Sequence, residues 1–339
     1  MIKSPLHIGV IGFGYWGPNI VRVLSEISNV QQITICDSNL LALEAAKLRF
    51  PKSVVTSDFK NLLNDNSIQS IIIATPVRTH FAITKACLLA NKHVLCEKPL
   101  SDSSHEITTL SLLAQERNLT LMAGHIFEYH SVVQHMRRLI AANELGRIYY
   151  LQFNRNGLGP IREDVSVIAD LATHDIAIAN YLLNDKPLSV SAKATSFFKT
   201  NKPDIAFIDL VYAQQIHVNI HVSWIDAIKQ RQLKIVGEKK MMIFDDIALH
   251  DKLKIVETGK NYQDKTGSFA SFQHNIKDGQ VIYPNIQYTE PLAEELNHFI
   301  HCIQTGEAPL SGTASALTIA RVLERISVSI SQKGESIQL

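Results

Sequence analysis

Residues 10–19, VIGFGYWGPN, constrain the fold of this 339-residue chain more than any other segment, because they carry three glycines spaced G-x-G-x-x-G. An apolar, β-branched run, LHIGVI, comes before the glycines and predicts a strand buried in a parallel sheet. The run PNIVRVLSEI follows with helical spacing and a proline near the first helical position. Such a turn lets backbone N–H groups and the helix N-terminus bind a pyrophosphate. We expect six residues to contact a dinucleotide here: Gly12, Phe13, Gly14, Tyr15, Trp16 and Gly17.

An acidic residue ends the second predicted strand, QQITICD. Asp37 follows Gly17 by 20 residues, and a carboxylate at that spacing can accept hydrogen bonds from the ribose hydroxyls. Its charge would repel a 2′-phosphate, and neither Cys36 nor Ser38 supplies an arginine, so we expect NAD rather than NADP. A strand, turn and helix without a ligand is the alternative, and the acid at this position argues against it.

Strand-like and helical runs go on alternating to residue 125. This alternation predicts a doubly wound parallel sheet, whose ligands bind beyond the carboxyl ends of the strands. The further strand ends would add six residues to the site: Thr75, Pro76, Glu97, Lys98, Gly124 and His125. His80 follows the Thr75-Pro76 turn, where it would line the cofactor or begin a helix.

The βα alternation stops in the second part of the chain. Strand-like segments from RIYYLQFNR to KLKIVET precede two helical segments, which predicts an α+β domain. We therefore expect an NAD-binding Rossmann domain over 1–125 and a domain for substrate binding and oligomerisation over 126–339, whose final helix can pack back on the first. The polar, glycine-dotted segment 257–280 predicts a loop near the substrate or a subunit contact.

Composition excludes several other classes of protein. With 33 basic and 32 acidic side chains, the chain has no charge excess that would indicate nucleic acid or an anionic membrane as a partner. We predict a cytoplasmic protein, because the start lacks a signal-peptide pattern and the apolar runs are only strand-length. The four scattered cysteines form no C-x-x-C pair and fit buried, reduced thiols. His125, His130, His174 and Asp175 lack the spacing of a metal site, so no metal is expected.

Four motifs together, GFGYWG, ATPVRTH, CEKPL and DLATHD, resemble the Gfo/Idh/MocA oxidoreductase family, and the resemblance extends to the closing helical segments. The E-K-P signature is its most specific part. The resemblance implies an α/β fold with an N-terminal Rossmann sheet and a C-terminal α+β domain built on a large, mostly antiparallel open sheet. It also implies that helix 170–183 crosses beneath the nicotinamide.

Lys98 is the first predicted catalytic residue. It follows a strand end and precedes Pro99, which favours an extended backbone at this position. A lysine placed there can point into the cleft, although a surface lysine is the alternative from the residues alone. The resemblance gives Lys98 the role of polarising the substrate oxygen or relaying its proton.

Asp170 and His174 form the second predicted centre, because a spacing of four puts them on one helix face. An imidazole oriented by a carboxylate can act as a general base near neutral pH. A capping aspartate and a core histidine are the alternative. The resemblance places the base on His174, but this chain has Ala177 where many members carry a further aspartate. Either Asp170 or Asp175 would therefore support the imidazole, with Asp175 also expected near the substrate.

Two arginines flank a Gly-Pro loop in FNRNGLGPIREDV. Arg155 and Arg162 can clamp a phosphate or carboxylate, or the loop can be solvated with ion pairs to Glu163 and Asp164. This loop and the GYWGPN opening resemble the branch of the family that oxidises the 3-hydroxyl of UDP-N-acetylglucosamine or its uronate.

These observations predict an NAD-dependent dehydrogenase of a sugar hydroxyl, at C3 of a UDP-N-acetylhexosamine, whose 3-keto product suits amino-sugar synthesis. An inositol or simple-sugar dehydrogenase, a non-catalytic NAD-binding regulator and a hydrolase that recycles its cofactor are the alternatives. We expect a homodimer or homotetramer, because an open sheet leaves one face exposed.

Overall fold

The computed structural model describes residues 5–159, 165–198, 202–257 and 280–339. Arg162 and nearly all of the predicted loop 257–280 lie outside the described residues. The chain forms two compact units. The first consists of residues 1–130 and 289–324, and the second of residues 131–288 and 325–339.

A six-stranded parallel sheet forms the centre of the first unit, in the order β3-β2-β1-β4-β5-β6. Its strands are β1 Leu6–Ile11, β2 Val30–Cys36, β3 Val54–Thr56, β4 Ser70–Ile73, β5 His93–Glu97 and β6 Leu121–Gly124. The helices between them are α1 Gly17–Glu26, α2 Leu40–Arg49, α3 Lys60–Asn64, α4 His80–Leu89 and α5 Ser104–Glu116. Strands β1 and β4 to β6 are almost wholly apolar because helices cover both faces of a parallel sheet. The strand order is that of a Rossmann fold, so the predicted doubly wound sheet is confirmed.

The later helices are α6 Ser131–Ala141, α7 Thr173–Leu183, α8 Pro291–Thr305 and α9 Thr313–Ser331. Helix α8 belongs to the first unit because its apolar face enters that unit's core, where Leu296 and Phe299 pack with residues of β1 and α1. The units therefore differ from the domains predicted at 1–125 and 126–339. Residues 126–130 and 289–324 lie in the first unit rather than in the second.

A nine-stranded sheet forms the second unit, in the order β14-β13-β12-β11-β7-β10-β9-β8-β15. Its strands are β7 Ile148–Leu158, β8 Ser189–Thr195, β9 Ile205–Val211, β10 His217–Ser223, β11 Ile225–Gly237, β12 Lys240–Asp245, β13 Leu253–Glu257, β14 Val281–Ile282 and β15 Ile337–Gln338. Among the described pairings of this second sheet, only β7–β10 is parallel, so the predicted mostly antiparallel sheet is confirmed.

The predicted helix 170–183 has two parts in the structure. A π-helical turn, Ile168–Ala172, comes first, and α7 continues from Thr173 to Leu183. Helix α7 ends at Leu183, and the left-handed backbone of Asn184 (φ 53°) caps it. None of the described helices has the length and apolar character that a membrane span requires.

Candidate active site

The glycine turn fits a bound pyrophosphate. Gly12 has φ +101°, and a Cβ there would lie 2.5 Å from the carbonyl oxygen of Ala74. A Cβ at Gly17 would lie 2.2 Å from the carbonyl oxygen of Gly12, so both positions require glycine for close packing. Gly14 differs, because a Cβ there would meet none of the described atoms within 4 Å, which leaves the turn open at this point. The side chain of Trp16 does not cap the N-terminus of α1, so it does not compete with an anion for the first N–H groups.

Asp37 lies where a ribose-binding acid is required. It follows β2, and its Oδ2 accepts a hydrogen bond from the backbone N of Phe13 at 2.7 Å. Its Oδ1 accepts one from Asn39 N at 2.8 Å, so the carboxylate is fixed beside the glycine turn. The residues of this turn and Asp37 therefore fit a dinucleotide. The ring of Phe13 is buried and packs edge-on against Phe50, while Tyr15 is 94% exposed.

His80 begins α4 and joins the ends of two strands. Its Nδ1 lies 2.8 Å from the carbonyl oxygen of Pro99, and its Nε2 lies 2.8 Å from that of Thr75. The imidazole is buried, so it ties the turn after β4 to the Lys98-Pro99 segment after β5, where the peptide bond is cis. Cofactor contact by His80, Thr75 and Pro76 stays a prediction, and the tie between strand ends is the role that the structure adds.

Lys98 and His125 are neighbours at the carboxyl edge of the first sheet. His125 follows β6 and is buried, and neither of its ring nitrogens has a hydrogen-bond partner in the described part of the chain. Burial and then the charge of Lys98 lower the pKa of His125 to about 4, so its imidazole is neutral at physiological pH. A neutral imidazole offers one donor and one acceptor on opposite sides of the ring, and a hydroxyl group can pair with either of them.

Glu97 anchors the same edge. Gly124 lets it approach, since a Cβ at Gly124 would lie 3.2 Å from the Oε2 of Glu97. The side chain of Trp16 hydrogen-bonds to Glu97, which links the glycine turn to the end of β5. Burial raises the pKa of Glu97, while the charge of Lys98 opposes that rise.

Two further carboxyl groups lie behind this edge, and the sequence patterns did not indicate them. Glu295 of α8 is buried, and burial followed by the charges of Glu97 and Glu128 raises its pKa well above the usual value. Glu128 is also buried and accepts a hydrogen bond from Ser315 Oγ at 3.2 Å. A glutamate on the apolar face of an amphipathic helix, as in LAEELNHFI, is the signal that could have found Glu295.

The second unit carries the other predicted catalytic residues around α7. Asp170 lies in the π-helical turn, and His174 lies in the first turn of α7; both are partly exposed. Asp175 is buried, and its Oδ1 accepts hydrogen bonds from Nε and Nη2 of Arg155 at 2.9 and 2.8 Å. Burial raises the pKa of Asp175, and the charge of Arg155 opposes the rise. The assignment of the imidazole's supporting acid to Asp170 or Asp175 stays open.

Arg231 also belongs to this group, and no sequence pattern indicated it. Arg231 of β11 lies opposite Arg155 of β7 in the antiparallel register, so the two side chains share one face of the sheet. The charge of Arg231 also acts on Asp175. Register between strands far apart in sequence has no local signal, so only the structure brings these three groups together.

A cleft of about 760 Å³ in the first unit is lined by none of the candidate site residues. It is lined by His93 and Thr120 at the amino ends of β5 and β6, together with the segment from Cys302 to Ala314. Ligands of doubly wound sheets bind at the carboxyl ends of the strands, so this cleft lies at the wrong edge for the dinucleotide.

A Rossmann sheet with a fixed carboxylate beside its glycine turn, joined in the chain to an α+β unit, is typical of dinucleotide-dependent oxidoreductases. Residues 6–125 match the family model described as "Oxidoreductase family, NAD-binding Rossmann fold", and residues 133–243 match the Gfo/Idh/MocA C-terminal domain. The chain belongs to the Gfo/Idh/MocA family. Its cofactor is NAD, and it is an oxidoreductase of the sugar-dehydrogenase type, as the sequence predicted.

Two curated relatives of the chain differ in the substrates that their names give. The chain is 28% identical over 304 residues to UDP-N-acetylglucosamine 3-dehydrogenase of Acidithiobacillus ferrooxidans, covering 88% of each chain. The structure of that enzyme, GnnA, superposes with a TM-score of 0.81 at 23% identity and covers 96% of this chain and 98% of its own. Inositol 2-dehydrogenase of Rhodococcus erythropolis is 27% identical over 262 residues, 74% of this chain and 75% of the relative.

Proposed function

We propose that this protein oxidises the 3-hydroxyl of a UDP-linked N-acetylhexosamine with NAD. The observation that carries the proposal is the similarity to UDP-N-acetylglucosamine 3-dehydrogenase over 88% of both chains. The GYWGPN opening and the two arginines of the sequence FNRNGLGPIREDV support it. The 3-keto product would be a substrate for transamination to an amino sugar.

The residues have the following proposed roles. When bound, NAD supplies the hydride acceptor for the carbon that bears the hydroxyl. Lys98 polarises the substrate oxygen, and His174 accepts its proton as general base. His125 binds two sugar hydroxyls, one through each ring nitrogen, and no described residue engages either nitrogen. Preference for NAD over NADP follows from Asp37 and stays a prediction.

An inositol or simple-sugar dehydrogenase is the second candidate, and the similarity to inositol 2-dehydrogenase favours it. The two candidates differ in whether the substrate carries a diphosphate. Arg155 is bound to Asp175. Arg162 is therefore the arginine whose substitution tests diphosphate binding most directly.

The test is calorimetric titration of NAD-loaded protein with UDP-N-acetylglucosamine, uridine diphosphate and myo-inositol. We expect both nucleotides to bind, and Arg162→Ala to weaken them by about tenfold or more, the loss of a hydrogen bond to a charged group. Arg138→Ala on α6 is the matched control and should leave the affinity unchanged. Binding of myo-inositol alone would reject the nucleotide sugar and retain the second candidate. NADH formation with the ligand that binds then tests the oxidation itself.

We also propose that the protein assembles as a homodimer or homotetramer through one face of the nine-stranded sheet. This outer face is the one that carries Phe207 and Tyr150. Phe207 and Tyr150 are exposed on this face at 52% and 39%, and Phe207 stacks on His221 with a centroid distance of 4.4 Å. Aromatic side chains on an open sheet face are typical of a surface that another subunit covers.

A further inference from the structure

The Arg155–Asp175 ion pair is more deeply buried than a surface salt bridge. The two side chains are 8% and 1% exposed, and two guanidinium nitrogens bond to one carboxylate oxygen. The second oxygen, Oδ2, has no hydrogen-bond partner among the described residues. Such a pair loses its hydration on folding, and well-packed apolar residues of similar volume often give equal or greater stability. Stability therefore does not explain why polar residues lie here.

The position of the pair gives a better explanation. Asp175 is the residue after His174, in the first turn of α7. The preceding turn is π-helical, so the regular hydrogen-bond ladder of an α-helix is interrupted immediately before His174. A contact from outside the helix can fix the rotation and position of its first turn at such an interruption.

Arg155 supplies that contact from a rigid element. Strand β7 is bonded on both sides, to β10 and to β11, so its backbone is held in the interior of the sheet. The planar guanidinium fixes direction as well as distance, because both of its bonds to Asp175 lie in one plane. Arg231 adds a second positive charge from β11 that favours the charged form of Asp175.

We infer that Arg155 and Asp175 are positioning residues, which bind the first turn of α7 to the sheet and thereby set the orientation of His174. The inference rests on the proposed role of His174 as general base. A general base works only within hydrogen-bond reach of its proton, and an error of about 1 Å in such placement can cost about 100-fold in rate.

The test compares three variants by four measurements. Asp175→Asn removes the charge, Arg155→Met with Asp175→Leu replaces the pair by apolar side chains, and Lys240→Met with Glu144→Gln removes a partly exposed ion pair in the same unit as the control. The measurements are the melting temperature, the NAD affinity, kcat with KM, and the NMR titration of the His174 ring. His174→Gln assigns that ring signal.

We expect the apolar double variant to keep its melting temperature and its NAD affinity within about twofold, while kcat falls by about tenfold or more and KM changes little. Asp175→Asn should lower the titration midpoint of His174, because the neighbouring negative charge is lost while the positive charge of Arg155 remains. Removal of the control ion pair should leave all four measurements unchanged. An unchanged kcat in the double variant together with an unchanged His174 titration would overturn the inference. If no sugar gives NADH, the proposed function fails, and the His174 titration in the apolar double variant, which removes one charge of each sign, then tests whether the pair orients the ring.

Discussion

At the end of β6, the buried side chain of His125 lowers the stability of the protein. Both ring nitrogens are buried without a partner among the described residues, and a buried, unsatisfied polar group costs about 1–3 kcal/mol. Backbone hydrogen bonding cannot explain this arrangement, because the ring gains nothing from the fold. We therefore expect its role to be in binding a ligand.

Substitution of this residue should separate stability from function. His125→Leu has a similar volume and removes both unsatisfied nitrogens, so the free energy of unfolding should rise by about 1–3 kcal/mol in the ligand-free protein. The KM for the sugar should rise by about tenfold or more, because two hydrogen bonds to the substrate are lost. Thermal denaturation and steady-state kinetics measure the two effects, and NAD affinity serves as the internal control. A lower stability with an unchanged KM would assign His125 a purely structural role.

The buried carboxyl group of Glu128, which is hydrogen-bonded to Ser315 of helix α9, makes the free energy of unfolding depend on pH. Burial raises the pKa of Glu128 to about 8 from 4.5, so the folded protein binds its proton where the unfolded chain has released it. The free energy of unfolding should therefore fall as pH rises from about 4.5 to about 8, by up to about 1.4 kcal/mol for each pH unit. Glu295 acts in the same direction.

Glu128→Gln tests this dependence, because glutamine keeps the bond to Ser315 and cannot ionise. We expect its melting temperature to fall less than that of the unaltered protein between pH 5 and pH 8. Glu116→Gln, on the exposed side of α5, is the control and should follow the unaltered protein. Parallel pH curves for all three proteins would show that Glu128 releases its proton at an ordinary pH.

The elements differ in how well the sequence predicts them. Strands β1, β4, β5 and β6 were predictable because parallel strands buried on both faces are continuous apolar runs. Helix α2 was not predicted, because its leucines Leu40, Leu41 and Leu48 are exposed and form no apolar stripe toward the core. Helix α6 had a usable signal in Val132, Val133 and Met136, which are buried at helical spacing. The π-helical turn before α7 had no such signal, because a change of the backbone hydrogen bonds from i→i+4 to i→i+5 requires no particular residue type.

At the scale of the molecule, the groups that the sequence could not bring together are those far apart in the chain. The glycine turn and Asp37 were predictable because one βαβ unit fixes their relation. Arg155 meets Asp175 through the packing of α7 on the sheet, and Arg231 joins them through strand register. The entry of α8 into the core of the first unit is a contact of the same long-range kind.

Assembly of several chains is the last prediction and concerns the outer face of the nine-stranded sheet. We expect light scattering after size exclusion to give at least about twice the 37.9 kDa chain mass, because subunit pairing would cover Phe207 and Tyr150. Phe207→Glu should shift the mass toward that of one chain, since a buried, unpaired carboxylate disfavours the contact. Leu48→Glu, at a side chain 86% exposed on α2, is the matched control and should leave the mass unchanged. One chain mass at every protein concentration would contradict the proposed assembly, and equal dissociation by both variants would place the contact elsewhere.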